Sequence, residues 1–336
     1  MNNIDIPSLS KLILGSNNIL LTTHLNPDGD AIGSVLGLYH YLKLVKKNAR
    51  IIMSDPVPEN LRFLGGVSEI ELFNENSNYD WFGSLDLILI LDLNEISRLK
   101  GLEKYILSSK AKKVVIDHHL EPKDFADFYL VDTDASSTGE MIYKIITQDK
   151  SVEINKSIAE NLYAAILTDS GSFRFPRTDE EVHLIVADLI RNGADPVRIY
   201  EEIYNKNSFN KIRLLGRGYS NLELFFEGVF CLMTLKKEDF SATNTNNFDL
   251  ENFVESLMSI DKVKIGVLLA EIPDGDEIKL SFRSKGNYSV RDLAMKFNGG
   301  GHLNASGARI KTGSLESVRK RLLEESENLF FKNSKE

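Results

Sequence analysis

Cysteine is almost absent from the sequence. Cys231 is the only cysteine in 336 residues, which excludes an internal disulfide and a metal site built on several cysteines. No apolar run approaches the roughly 18 residues that a membrane span needs, because Asp86 and Asp92 interrupt the longest one. The first residues also lack the pattern of a signal peptide. We therefore expect a cytoplasmic protein with no membrane partner.

A broad excess of positive charge is also missing. The net charge is −9, whereas proteins that bind long nucleic acid rely on many basic contacts to phosphates. Long duplex nucleic acid is therefore not an expected partner. Residues 279–311 are an exception, because they hold seven Lys or Arg and a single acidic residue, Asp292. This local excess favours a small anionic ligand, although a solvated surface would produce the same pattern.

The first half of the chain has the pattern of an α/β domain. Short apolar segments typical of buried strands alternate with segments of helical spacing, which predicts a mostly parallel sheet with helices on both faces. Ser137 and Thr178 each open a capping-box pattern, and Asp195-Pro196 is typical of a helix start. The predicted strands are residues 18–23, 49–54, 85–92 and 113–117.

The second half predicts a smaller α+β domain. Alternating runs at 264–271 and 279–283 predict a hairpin, and a short helix, a glycine run, a strand and a closing helix follow. The helical pattern weakens near residues 205–218. We therefore predict a first domain at 1–204, a linker at 205–220, a second domain at 221–333, and a cleft between the two domains.

Four separated segments carry carboxylates and imidazoles at or near the ends of the predicted elements. In open α/β sheets, ligands bind beyond the carboxyl ends of the strands. A single carboxylate at such a place is usually structural, so the candidate site depends on all four segments together. Its residues are His24, Asp28 and Asp30; Asp92; Asp117, His118 and His119; and Asp169.

The first of these segments has a counterpart elsewhere in the chain. Pro-Asp-Gly-Asp occurs twice, beginning at Pro27 and at Pro273. The copy at Pro273 has no upstream histidine and lies between two alternating runs, so it predicts a hairpin turn. The copy at Pro27 follows His24 and joins a buried strand to a helix. Only this first copy is a candidate for ligand binding.

Carboxylates and imidazoles without cysteine suit Mn²⁺ or Mg²⁺. Two such ions, roughly 3.5–4 Å apart, can supply an attacking hydroxide and stabilise the leaving oxygen when a phosphodiester is cut. Two ions also need several carboxylates to offset their charge. The four segments therefore predict a centre for two divalent ions, either Mn²⁺ or Mg²⁺.

The same segments resemble the four motifs of DHH-superfamily phosphoesterases. His-x3-Asp-Gly-Asp at 24–30, the strand-end Asp92, Asp117-His-His and Thr168-Asp-Ser-Gly follow one another in the order of that family. The order and spacing of the motifs and the size of the chain are similar to those of NrnA-type enzymes. It implies hydrolysis of short single-stranded RNA (nanoRNA) to mononucleotides and dephosphorylation of 3′-phosphoadenosine-5′-phosphate (pAp).

The resemblance implies a role for each of these residues. Asp92 would bridge two ions, and His119 would contact the scissile phosphate. Asp117 would orient one of the metal ligands without contacting an ion itself. Metal-bound histidines usually need such an orienting partner. The remaining ligands would be His24 and Asp28 for one ion, and Asp30, His118 and Asp169 for the other.

The basic second half resembles a DHHA1 domain. Asn298-Gly-Gly-Gly-His302 and Arg283-Ser284 match its signature, apart from Asn298, where the family commonly has a fourth glycine. Asparagine tolerates left-handed backbone angles, so we expect the loop to be retained. The resemblance implies that Arg283, Ser284 and His302 bind the terminal phosphate of the substrate. Backbone amides of Gly299, Gly300 and Gly301 would approach the same phosphate closely.

Two other functions remain open from the sequence. The chain could be a phosphodiesterase for the linear dinucleotide pApA or for a cyclic dinucleotide, since one site could serve several of these substrates. It could also be a regulator that binds nucleotides without catalysis, although every predicted metal position carries a competent ligand. A homodimer is compatible with either function.

Overall fold

The computed structural model describes residues 1–77, 80–273, 275–311 and 313–332. It divides into two compact units, Met1–Lys206 and Asn207–Glu336, called the first and second unit below. None of the helices in the described ranges is both long and apolar enough to cross a membrane.

The first unit contains a six-stranded parallel sheet with the strand order β3-β2-β1-β4-β5-β6. The four predicted strands are all present, as β1, β2, β4 and β5. The edge strands β3 and β6 were not predicted, because they are short and only partly buried. The bounds are β1 Asn18–Thr23, β2 Asn48–Met53, β3 Ile70–Leu72, β4 Leu87–Leu91, β5 Lys112–Asp117 and β6 Phe128–Val131.

Helices cover both faces of this sheet, as predicted. Alternate residues of β4 enter two separate cores: Leu89 lies in a large core, whereas Ile88 lies in a smaller one that includes Leu102 and Ile106. The seven helices described in this unit are α1 Ile6–Gly15, α2 Gly29–Leu44, α3 Leu102–Ser108, α4 Thr138–Gln148, α5 Lys156–Asp169, α6 Glu180–Arg191 and α7 Pro196–Tyr204.

The sequence predicted the first residues of three helices, and one of these three predictions was wrong. Ser137 caps α4 and Asp195 caps α7, as expected. Helix α6 is capped by Asp179 rather than Thr178, because the Asp179 carboxylate accepts the amide of Val182 at 3.0 Å. Both residue types cap helices well, so the sequence alone did not separate the two neighbours.

The predicted linker at 205–220 is mostly helical. Residues Phe209–Ser220 form α8, whose Leu214 is fully buried in a core of the second unit together with Met233. Leu214 and Gly218 are four residues apart and lie on one face of the helix. The glycines in this segment weaken the helical pattern, which explains why the sequence suggested a linker.

The second unit has a six-stranded mixed sheet with the order β11-β12-β10-β9-β8-β7. Strands β8 and β9 are parallel and the other pairs are antiparallel. The hairpin from β9 to β10 was predicted, although Asp274 in its turn lies outside the described residues. The strands are β7 Leu222–Phe225, β8 Phe230–Leu235, β9 Ile265–Glu271, β10 Ile278–Ser284, β11 Gly300–Gly301 and β12 Ala305–Ile310.

Four further helices pack on this second sheet. One core joins the sheet to the helices that carry Val290, Leu293 and Leu322. The core on the other face includes Phe240 and Phe253. The helices are α9 Lys237–Thr243, α10 Phe253–Leu257, α11 Val290–Met295 and α12 Leu315–Phe330.

Candidate functional site

Several predicted site residues of the first unit end or directly follow strands whose ends are aligned in the sheet. Thr23 on β1 pairs with Leu91 on β4, and Leu91 pairs with Ile116 on β5. The residues that follow these strands therefore meet at one edge of the sheet, as ligand sites in such sheets do. Asp92 has a left-handed backbone angle (φ 57°), and its amide donates to the carbonyl of Ile116 at 2.9 Å.

Asp92 lies at the centre of this edge and is buried. One carboxylate oxygen, Oδ2, is 3.3 Å from Nε2 of His24. The other, Oδ1, is 3.6 Å from Nε2 of His118 and 3.5 Å from Nδ1 of His119. Burial opposes ionisation of this carboxyl, but the hydrogen bond with His24 and the charges of His119 and His118 outweigh burial and lower the pKa of Asp92.

Two helix ends complete the group. Asp28 caps the N-terminus of α2, and Asp30 lies in its first turn. Asp169 is the last residue of α5, and its Oδ2 lies 3.2 Å from Nε2 of His118. Nε2 of His118 is also 3.8 Å from Oδ2 of Asp30. One imidazole therefore faces carboxylates from both helices.

The two helices can approach closely because α2 presents glycines to α5. A Cβ atom at Gly33 would collide with the carbonyl oxygen of Asn161 and would lie 2.8 Å from the Cβ of Ala165. Gly29 and Gly37, four residues away on either side, face Thr168 and Leu162 in the same way. The close packing places the start of α2 beside the end of α5, which carries Asp169.

The six predicted ligands converge and form two groups that could each hold a metal ion. Within each group the donor atoms lie within 4.8 Å of one another. A third overlapping group contains Asp92, His118 and His119, so His119 could also reach an ion. The two principal groups are His24, Asp28 and Asp92, and Asp30, His118 and Asp169.

The charge distribution also fits bound cations. Burial is the main reason that the pKa of Asp169 is raised to about 7, and the charges of Asp28 and Asp92 raise it further against the effect of His118. Burial and the neighbouring carboxylates raise the pKa of Asp30 well above its usual value. Carboxylates buried side by side repel one another, and divalent cations would offset that repulsion.

Helix α4 supplies contacts that the sequence analysis missed. The amides of Thr138 and Gly139 donate to the Asp30 carboxylate at 2.7 and 2.8 Å. The hydroxyl of Thr138 donates to Asp92 at 3.2 Å, and the hydroxyl of Ser34, which lies in α2, donates to the Asp30 carboxylate at 3.0 Å. The capping pattern Ser-Thr-Gly-Glu was the available signal, but it predicted only a helix start.

Asp117 holds His119, which is not one of the six predicted ligands. Its Oδ1 is 2.7 Å from Nδ1 of His119. Burial disfavours the charged imidazole, yet the hydrogen bond with Asp117 and the charge of Asp92 raise the pKa of His119 to about 9. The predicted ligands His24 and His118 are instead oriented by backbone carbonyls, those of Leu25 at 2.8 Å and Ala135 at 3.3 Å.

The predicted phosphate-binding residues lie together in the second unit. Arg283 on β10 pairs with Ala305 on β12, and the amide of His302 donates to the carbonyl of Ala305 at 2.7 Å. Arg283 forms an ion pair with Glu255 at 2.6 Å, which offsets part of its charge. The hydroxyl of Ser284 donates to the carbonyl of Tyr288 at 2.6 Å, so it stabilises the adjacent loop.

The three glycines of the run differ in what they require. A Cβ at Gly299 would collide with the carbonyl of Gly307, and one at Gly301 would lie 2.5 Å from the carbonyl of Ala305. A Cβ at Gly300 would meet no atom within 4 Å. The chain therefore has no room for a side chain at Gly299 or Gly301. At Gly300 the space beside the backbone is free, so another group could approach it. Asn298 has the predicted left-handed angle (φ 57°).

The comparisons with known proteins agree with this arrangement. The DHH family, N-terminal domain, matches residues 18–166, and the DHHA1 domain matches residues 231–329. The bifunctional oligoribonuclease and PAP phosphatase NrnA of Bacillus subtilis is 32% identical over 87% of this chain and 89% of its own length. The protein of the same name from Thermus thermophilus is 32% identical over 91% of this chain and 88% of its own length.

A solved structure resembles the whole chain. The crystal structure of an exopolyphosphatase-related protein from Bacteroides fragilis has a TM-score of 0.90 and 32% identity, and the match covers 96% of each chain. The motifs, the domain matches and these relatives lead to one conclusion. The chain belongs to the DHH family of phosphoester hydrolases and carries a DHHA1 domain.

Proposed function

We propose that this protein is a divalent-metal-dependent phosphoesterase that hydrolyses RNA of a few nucleotides to mononucleotides and dephosphorylates pAp to AMP. The observation that carries the proposal is the convergence of six carboxylate and imidazole ligands from four separated segments. The names of the relatives in Bacillus subtilis and Thermus thermophilus support the substrate classes.

In this proposal, the first unit holds two ions. His24, Asp28 and Asp92 would hold one, and Asp30, His118 and Asp169, together with Asp92, would hold the other. Oxygen and nitrogen donors without cysteine suit Mn²⁺, with Mg²⁺ as the alternative. When bound, such ions neutralise phosphoryl oxygens and make water a stronger nucleophile.

His119 would bind an oxygen of the scissile phosphate. Its Nδ1 is held by Asp117, which fixes the ring and leaves Nε2 as the nitrogen directed away from that carboxylate. The hydrogen bond with Asp117 raises the pKa of His119 and so favours an imidazole that carries its proton. A protonated imidazole donates a strong hydrogen bond to an anionic oxygen, particularly where charge develops in the transition state.

The second unit would bind the terminal phosphate of the substrate. Arg283, Ser284, His302 and the backbone at Gly300 are the proposed contacts, with Gly299 and Gly301 shaping the strand that presents them. The unit would thereby anchor the end of a short substrate.

A substrate panel tests this proposal. The purified protein is incubated with Mn²⁺ and, separately, with pAp, a 5′-phosphorylated dinucleotide, a pentanucleotide, pApA, a cyclic dinucleotide and a long RNA. We expect turnover of pAp and the short RNAs, little turnover of the long RNA, and loss of activity in the Asp92→Ala/His118→Ala double variant. Equal turnover by the double variant contradicts the proposal, and metal-dependent binding without turnover supports a non-catalytic regulator instead.

A further inference from the structure

Glu140 is a buried glutamate to which the proposed function gives no role. Only 4% of its surface is exposed, and it lies in the first turn of α4, three residues after the cap Ser137. Among the described residues, it belongs to none of the groups that could hold an ion. Burying a carboxylate is costly unless the group is paired and hydrogen-bonded, so its partners indicate what it does.

The carboxylate of Glu140 does not close the capping box that the sequence pattern predicted. In a capping box, the glutamate accepts the backbone amide of the cap residue itself. Here Oε2 of Glu140 accepts the amide of Ser136 at 2.8 Å, one residue before the cap. The cap Ser137 accepts the amide of Glu140 at 3.1 Å, as expected. Glu140 therefore holds the segment that leads into α4 as well as the end of the helix.

That segment, residues 135–139, carries backbone groups that orient two of the predicted ligands. The carbonyl of Ala135 lies 3.3 Å from Nδ1 of His118, and a carbonyl can only accept, so this nitrogen donates and Nε2 is left to face an ion. Two amides at the start of α4 donate to the carboxylate of Asp30 at 2.7 and 2.8 Å. The position of this segment therefore sets the orientation of His118 and of Asp30.

Lys144 holds the other oxygen of Glu140. Nζ of Lys144 lies 2.7 Å from Oε1 of Glu140 and 2.9 Å from Oε2 of Glu181, which is in the first turn of α6. Burial opposes the charged form of this lysine, but the hydrogen bonds with the two glutamates outweigh burial and raise the pKa of Lys144. Each oxygen of Glu140 therefore has a partner, and the carboxylate is fixed between the amide of Ser136 and a charged ammonium.

We propose that Glu140 is a positioning residue, which holds residues 135–139 in the conformation that orients His118 and Asp30 as metal ligands. This inference rests on the proposed function and deepens it. Glu140 acts through the backbone of this segment and not by direct contact with an ion. Loss of an outer partner of a metal ligand usually costs about 10- to 100-fold in metal affinity or activity, and a partner at one further remove should lie at the lower end.

Four variants of the full-length protein test this role. Glu140→Gln keeps the size of the side chain, but its single acceptor oxygen cannot serve both the amide of Ser136 and Lys144. Lys144→Met removes the cation, and Lys144→Arg retains it. Glu160→Gln is the matched control, because Glu160 is a half-buried glutamate of the same unit that pairs with Arg198 at 2.7 Å.

Mn²⁺ affinity is measured by calorimetric titration, and kinetics on pAp are measured with each variant saturated with Mn²⁺. We expect Glu140→Gln to weaken Mn²⁺ binding and to lower kcat by about tenfold, with KM close to that of wild type. Lys144→Met should show a smaller loss of the same kind, which Lys144→Arg restores. Wild-type affinity and kcat in Glu140→Gln, or an equal loss in Glu160→Gln, overturns the proposal.

A measurement on the metal-free protein detects the positioning itself. The amide protons of Thr138 and Gly139 are followed by NMR, because both donate short hydrogen bonds to the carboxylate of Asp30, and such bonds to a charged group are strong. We expect both protons to shift upfield and to exchange faster with solvent in Glu140→Gln. If that variant does not fold, Lys144→Met is used, and unchanged amides in the variant measured overturn the proposal.

The two proposals fail in different ways. Metal titration and the NMR measurement need no turnover, so they test the role of Glu140 whatever the substrate is. A wild type that binds Mn²⁺ but hydrolyses neither pAp nor short RNA contradicts the proposed function alone.

Discussion

The carboxylate of Asp92 lies within 3.6 Å of three imidazole nitrogens and belongs to two of the groups that could hold an ion. Asp92→Asn keeps the shape of this side chain and removes its charge. We expect kcat to fall by more than about 100-fold, since even outer partners of metal ligands cost about 10- to 100-fold. Calorimetric titration with Mn²⁺ should show a matching loss of binding.

Asp134→Asn is the control for this prediction. Asp134 is an exposed aspartate of the same unit and belongs to none of the groups that could hold an ion. Its replacement should leave kcat and Mn²⁺ binding unchanged. If Asp92→Asn retained wild-type binding and turnover, Asp92 would not be a ligand.

A substitution at Gly300 can test whether a phosphate of the substrate approaches this backbone, without disturbing the fold. A Cβ at this position meets no atom within 4 Å, whereas one at Gly299 collides with the next strand. Gly300→Ala should therefore keep the melting temperature of wild type and raise KM for pAp. Gly299→Ala should lower stability by about 1–3 kcal/mol, the usual cost of overpacking. An unchanged KM in Gly300→Ala would mean that no substrate group approaches this backbone.

At the scale of helices, the site depends on the contact between α2 and α5. Gly33→Ala inserts a methyl group against Asn161 and Ala165 and should separate the helices that carry Asp30 and Asp169. We expect a loss of about 1–3 kcal/mol in unfolding free energy and weaker Mn²⁺ binding. Denaturant unfolding and metal titration measure the two effects.

Gly15→Ala is the matched control for the helix contact. Gly15 ends α1, and a Cβ there meets no atom within 4 Å. Alanine should be neutral or slightly stabilising at this position. If Gly33→Ala lowered stability without weakening Mn²⁺ binding, the helix contact would serve the fold and not the site.

Sequence patterns predicted these elements where the local signal was strong. The buried strands β1, β2, β4 and β5 contain short apolar runs, and the ends of β1, β4 and β5 identified most of the ligand positions. Edge strands such as Ile70–Leu72 are short and largely exposed, so they carry no comparable pattern. The contacts of Thr138 and Gly139 with Asp30 join residues 108 and 109 positions apart, which no local pattern reveals.

At the scale of the whole molecule, metal binding should stabilise one unit selectively. All six predicted ligands lie within the first unit. A ligand present at 100 times its Kd stabilises the folded state by about 2.7 kcal/mol, so Mn²⁺ should increase hydrogen-exchange protection in peptides of residues 18–169. Peptides of residues 222–330 should change little, and chelation should reverse the effect. Equal protection of both units would contradict a centre confined to the first.

The central claim is that side chains from residues 24 to 169 hold a pair of divalent ions that cut phosphoester bonds. Anomalous diffraction at the manganese edge, on crystals grown with Mn²⁺, tests it most directly. We predict two peaks per chain, both in contact with Asp92, one also near His24 and Asp28 and the other near His118 and Asp169. A map with no peak at Asp92, or with manganese bound only elsewhere, would contradict the account.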